Sequence, residues 1–152
     1  MTILNELTSS IGAKLVGVRG LLHVLDDEKD LTPIEIEFAF VDRKTATIRG
    51  SGNGASMICE SKQLFPVQMD DLGALVVEDF SDVEPFSGST GLALTKVLEI
   101  RSKRSPEDVI GCTLVFAGKK FSILNIGDEF HLFSEIPHAL ISDEGLISIL
   151  TL

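Results

Sequence analysis

Tryptophan and tyrosine are both missing from this chain, whose aromatic content is nine phenylalanines. Sugar platforms, single-strand nucleic-acid platforms and protein hot spots lean on those two residues. Their absence argues against each. Cysteine is scarce. Cys59 and Cys112 sit in apolar stretches with no second Cys or His at ligand spacing. That predicts buried thiols in a reducing cytoplasm rather than a disulfide frame or metal site. Positive charge is also in short supply: 13 Lys and Arg stand against 23 Asp and Glu, for a formal net charge of −10. A chain of that sign repels nucleic acid and suits a basic partner. No apolar run approaches the roughly 20 residues of a membrane span. The opening MTILNELTSS has neither the basic nor the apolar region of a secretory signal. The expectation is a cytoplasmic protein with no membrane or nucleic-acid partner.

Catalytic motifs are absent as well. There is no G-x-S-x-G elbow and no Gly-Lys-Ser/Thr phosphate loop. His23, His131 and His138 form no H-x-H or H-x-x-x-H pair, so neither a metal nor a cofactor is expected. The stretch RGSGNGAS, Arg49 to Ser56, carries three glycines between two strand-like segments. A phosphate cradle needs a helix after it. Here another strand pattern follows, so the reading is a hairpin connection. Glu35 and Glu37 alternate with Ile34, Ile36, Phe38 and Phe40. Two carboxylates on one strand face resemble a hydrolase pair in spacing, but the reading is the solvated outer face of a sheet.

What the chain does have is apolar material, 44% over 152 residues, enough for one domain with a joint core. It also repeats itself. GAKLVGV from Gly12 matches GLALTKV from Gly91. Phe40 falls over Phe116, Arg43-Lys44 over Lys119-Lys120, Pro66 over Pro137 and Gly73 over Gly145. The shared order predicts an internal duplication, with units at about 12–79 and 91–151 and a connector at 80–90. Period-two apolar patterns place strands near 13–24, 34–41, 45–50, 56–61 and 74–79 in the first unit. In the second they fall near 92–101, 109–117, 120–126, 129–134 and 146–151. Ile110, Cys112, Leu114 and Phe116 form the predicted inner row of the second unit. A short N-terminal helix is expected from a Thr2 cap, with Ile3, Leu4, Leu7 and Ile11 on one stripe and Gly12 as its stop. A second short helix or turn is expected in EPFSGST. LDDEKDLTP and RSKRSPED read as charged loops. The predicted fold class is α+β, mainly β: two similar antiparallel β-rich units with a short N-terminal helix.

Charge is segregated along the chain. Between Lys62 and Lys96 no basic residue occurs, while Asp70, Asp71, Glu78, Asp79, Asp82 and Glu84 do. These six are the candidate partner-binding residues, for a protein partner or for self-association. Arg101, Lys103, Arg104, Lys119 and Lys120 are candidates for one basic patch.

Residues 84–116, EPFSGSTGLALTKVLEIRSKRSPEDVIGCTLVF, resemble small bacterial β-rich proteins of unknown function, some of them found in toxin–immunity clusters. The resemblance rests on Pro85-Phe86, on Gly91 with Leu94 and Val97, and on Asp108 ahead of the strand LVF. It implies an immunity-like binding role and no catalytic residue. The resulting expectation is a non-enzymatic protein-binding module. The alternative is an enzyme or small-ligand binder using a cleft between the two units, with His131, His138 and Glu35 or Glu37 converging there.

Overall fold

Alternation of apolar and polar residues becomes two antiparallel sheets in the computed structural model, which describes residues 4–42 and 44–150. In chain order the elements are α1 (Asn5–Thr8), β1 (Leu15–Leu25), β2 (Glu28–Lys29), β3 (Glu35–Phe40), β4 (Thr45–Gly50), β5 (Met57–Glu60) and β6 (Val67–Gln68). A 3-10 turn (Asp70–Leu72) leads into β7 (Ala74–Asp79). Then come β8 (Leu94–Ser102), β9 (Ser105–Phe116), β10 (Lys119–Ile126), β11 (Glu129–Phe133), α2 (His138–Glu144) and β12 (Leu146–Leu150).

The first sheet runs β5-β4-β3-β1-β7-β6, with β2 folded onto β1, and the second runs β11-β10-β9-β8-β12. Leaving aside the two-residue strands, each sheet places its strands in the order fourth, third, second, first, fifth. Each also carries a bulge early in its first strand, between Leu15 and Gly17 opposite Phe40 and between Leu94 and Lys96 opposite Phe116. The sheets meet in a short antiparallel run. Gly12 N–H donates to Leu94 O (2.7 Å) and Gly91 N–H to Leu15 O (2.8 Å). Leu15 N–H donates to Leu92 O and Leu94 N–H to Ala13 O, both 3.0 Å. In each pair the second bond is the first with the two segments exchanged.

Between the sheets lies one apolar cluster drawn from both. Phe38 of the first sheet stacks on Phe121 of the second at 6.0 Å, and Phe86 of the connector meets Phe121 edge-on at 4.9 Å. Phe40 and Phe116 are buried in the same cluster, as their alternation predicts. Offset and edge-on rings are the favoured geometries for such pairs. Leu7 of α1 and Leu4 just before it join the cluster.

Several expectations need correction. The helix is one turn long, Asn5–Thr8, and lacks a side-chain cap. Thr2 and Ile3 lie outside the described residues, and Ile11 is exposed rather than on the buried stripe. EPFSGST, expected as a short helix or a turn, is a run of turns. LDDEKDLTP is largely a hairpin: Asp26 and Asp27 both take positive φ, and β2 returns along β1. RSKRSPED belongs to the long β8–β9 hairpin, because polar residues at a protruding hairpin end have no burial pattern to announce them. Ile110 leaves the inner row. A bulge pairs Ile100 with Gly111 and Arg101 with Val109, so Val109 turns inward and Ile110 joins a second cluster on the other face. That second cluster is covered by α2, which the sequence reading missed.

Candidate binding surfaces

The six acidic residues occupy two ends of β7 rather than one spot. Asp70 and Asp71 lie in the 3-10 turn before it, Glu78 and Asp79 close it, and Asp82 and Glu84 follow. Six extended residues separate the groups by about 20 Å. Glu78 is paired with Lys29. Asp79 accepts a hydrogen bond from Ser81 N–H at 2.8 Å. The Ser81 hydroxyl and this backbone donor hold the Asp79 carboxyl below the usual carboxylate range. Asp70, Asp71, Asp82 and Glu84 are exposed and make no ion pair among the described residues. Large apolar side chains share this region: Phe65, Leu72 and Val83 are all exposed.

The basic residues do not form one patch. Lys103 and Arg104 turn the β8–β9 hairpin, while Lys119 and Lys120 begin β10. These turns sit at opposite ends of the 12-residue β9, about 40 Å apart. Arg101 is held by Glu99 (3.0 Å) and Pro106 O (2.7 Å), and Arg104 donates to Asp143 O.

The glycine-rich stretch joins two strands, β4 and β5, and two of its backbone donors are taken by a side chain of its own. Asn53 Oδ1 accepts from Ala55 N–H (3.0 Å) and Ser56 N–H (2.9 Å). An Asn filling its own loop in this way makes a turn, not an anion cradle. Gly52 and Gly54 take positive φ there. The histidines lie on three separate elements. His23 is on the first sheet against Leu72 O (2.6 Å), His131 is on β11, and His138 starts α2. No group of three or more His, Cys, Asp or Glu capable of holding a metal occurs among the described residues. Burial pushes the Cys59 thiol up to about 12, with the charge of Glu6 adding to it. Burial also raises Cys112, with a contribution from nearby Cys59.

Glu37 corrects the reading of a solvated carboxylate face. It does point to the outer face, but its side chain is only 3% exposed. The chain after β5 folds back over it. Arg19 grips both carboxylate oxygens at 2.8 Å, and Leu64 N–H donates to Oε2 at 2.7 Å. Thr47 donates to Lys62 O (2.8 Å), and Lys62 pairs with Glu35 (2.7 Å). The register aligns Arg19, Glu37, Thr47 and Glu60 in one row across the sheet. A cavity of about 80 Å³ lies beside this cover, between Leu64, Phe65 and Leu21.

Much of the same row of the second sheet lines a groove. Counted from its own bulge, it reads Leu98, Thr113, Ser122 and Phe133. The next row reads Lys96, Val115 and Lys120. Here α2 covers only part of the face. A groove of about 610 Å³ is left, walled by Ser134 to Ile136, His138 and Ile141. Thr113 and Ser122, both buried, share a hydrogen bond of 2.7 Å on its floor. The sequence reading missed this site. Its signal was slight: Pro137 before and Gly145 after an apolar-spaced segment mark a helix on one side of the face.

No helix among the described residues is long and apolar enough to cross a membrane. Comparison with known proteins finds no family model, no curated protein and no solved structure that matches this chain.

Proposed function

We propose that this chain is a non-enzymatic, cytoplasmic protein-binding module of immunity-like type, built from two copies of one five-stranded unit. The duplication is supported by the repeated strand order, the matching bulges and the exchanged hydrogen bonds at the junction. Binding is assigned to the first unit's acidic side. The observation that carries this reading is the company kept by the four acids that make no ion pair among the described residues. Exposed Leu72 adjoins Asp70 and Asp71 at one end of β7, and exposed Val83 lies between Asp82 and Glu84 beyond the other. Apolar anchors within a charged rim are the composition of a protein interface. The rim's sign, with a net charge of −10, selects a basic partner and steers its approach. The space between the units does not favour the cleft alternative, since phenylalanine rings fill it.

The test is capture from the native host on the immobilised chain, run beside Asp71→Lys/Asp82→Lys and beside Leu72→Ala. A basic protein retained by the parent and lost from both variants supports the reading. Equal retention on all three contradicts it.

A further inference from the structure

We infer that the groove over β8, β9 and β10 is a binding site for a small organic carboxylate with an apolar body. This inference is independent of the acidic surface. Lys96 and Lys120 stand in one row with Val115 between them, about 10 Å apart across two strand spacings. Both are exposed, and neither joins an ion pair among the described residues. Their flexible stems let both ammonium groups converge on one anion above Val115. Below them, the Thr113–Ser122 hydrogen bond uses one hydroxyl proton. The other hydroxyl retains its own proton for a further acceptor. Leu98, Ile136 and Ile141 add apolar lining. A volume of about 610 Å³ lies in the range of small-ligand sites, which are mostly apolar with a few placed polar groups.

The first sheet illustrates how such a position is filled. There the chain supplies its own carboxylate, Glu37, to a cation and a buried N–H, and closes over it. At the matching position of the second sheet stands Thr113, and the neighbouring row supplies two cations. The missing partner is a carboxylate. His138 and Glu135 both stand on the wall. The Glu135 charge opposes a polyanion such as a polyphosphate, which narrows the ligand to a monoanion.

Octanoate is the probe, titrated into the full chain with backbone amide shifts as readout. Saturable shifts at Leu98, Thr113, Val115 and Ile141 are expected. Binding of 1-octanol and of inorganic phosphate should each be about tenfold weaker or more, because each supplies only one half of the contact. Lys96→Met/Lys120→Met should weaken octanoate about tenfold or more with an unchanged melting temperature, since both side chains are exposed. Asp71→Lys/Asp82→Lys should leave octanoate binding as it is, which separates this site from the acidic surface. Equal affinity for 1-octanol and octanoate overturns the proposal, as does full binding by the double-lysine variant. A hexaglutamate peptide binding more tightly than octanoate also overturns it, and gives the groove to acidic peptides.

Discussion

Replacing Glu37 with Ala should destabilise the protein by about 2–4 kcal/mol. The magnitude follows from what the carboxylate holds. Two charge-assisted bonds come from Arg19 and one from the Leu64 amide. Removing the acceptor leaves a buried N–H unsatisfied, which costs about 1–3 kcal/mol. Breaking a fully buried ion pair costs about 3–5 kcal/mol. The Arg19 side chain is 42% exposed, so its guanidinium rehydrates and the full ion-pair figure does not apply. Glu37→Gln keeps an acceptor for Leu64 and loses only the charge, so about 1–2 kcal/mol is expected. Urea unfolding gives the stability change through the midpoint at constant slope. Hydrogen exchange at the Leu64 amide gives its location, and should accelerate in Glu37→Ala. A loss under about 0.5 kcal/mol with unchanged exchange at Leu64 would refute the covered-face account and return Glu37 to solvent.

Other consequences can be measured alongside. Phe121→Ala should cost about 3–5 kcal/mol, towards the upper end, since it removes ring contacts to Phe38, Phe86 and Phe116 at once; a loss below about 2 kcal/mol would show that the core collapses around the gap. Both thiols should resist iodoacetamide at neutral pH, because burial keeps them protonated; rapid stoichiometric alkylation of the native protein would contradict this. The folded-state pKa of Asp79 is depressed, so its contribution is present above the usual carboxylate pKa and fades as pH falls through the folded value. Asp79→Asn should therefore flatten the acid limb of a stability profile, and an unchanged limb would deny the Ser81 bonds any part in it.

The strands were legible because their residues obey period two: Ile36, Phe38 and Phe40 turn inward together. Phe40 and Phe116, aligned with each other in the sequence, each lie opposite a bulge early in the first strand of their sheet. What covers an outer face was not. Glu37 alternates as a solvated residue does, and only the return of Leu64 buries it; that contact spans 27 residues and leaves no local pattern. Ile110 failed because a single bulge reverses the face of everything beyond it. The groove failed for a related reason. Lys96, Thr113, Ser122 and His138 look unremarkable one at a time; strand register brings the first three together, and the packing of α2 adds His138. The acids were found as a run in sequence, yet Glu78 and Asp79 are engaged within the fold. Asp70, Asp71, Asp82 and Glu84 stay exposed.

The most direct test of the proposed function is the association rate of the captured basic partner, measured against salt for the parent and for Asp71→Lys/Asp82→Lys. Steering by an exposed acidic surface predicts a parent rate that falls steeply once the Debye length drops below about 10 Å. The variant should associate more slowly at low salt, with a flatter dependence and unchanged stability, because exposed charges contribute little to folding. Equal rates and equal salt slopes for the two proteins would contradict recognition through this surface.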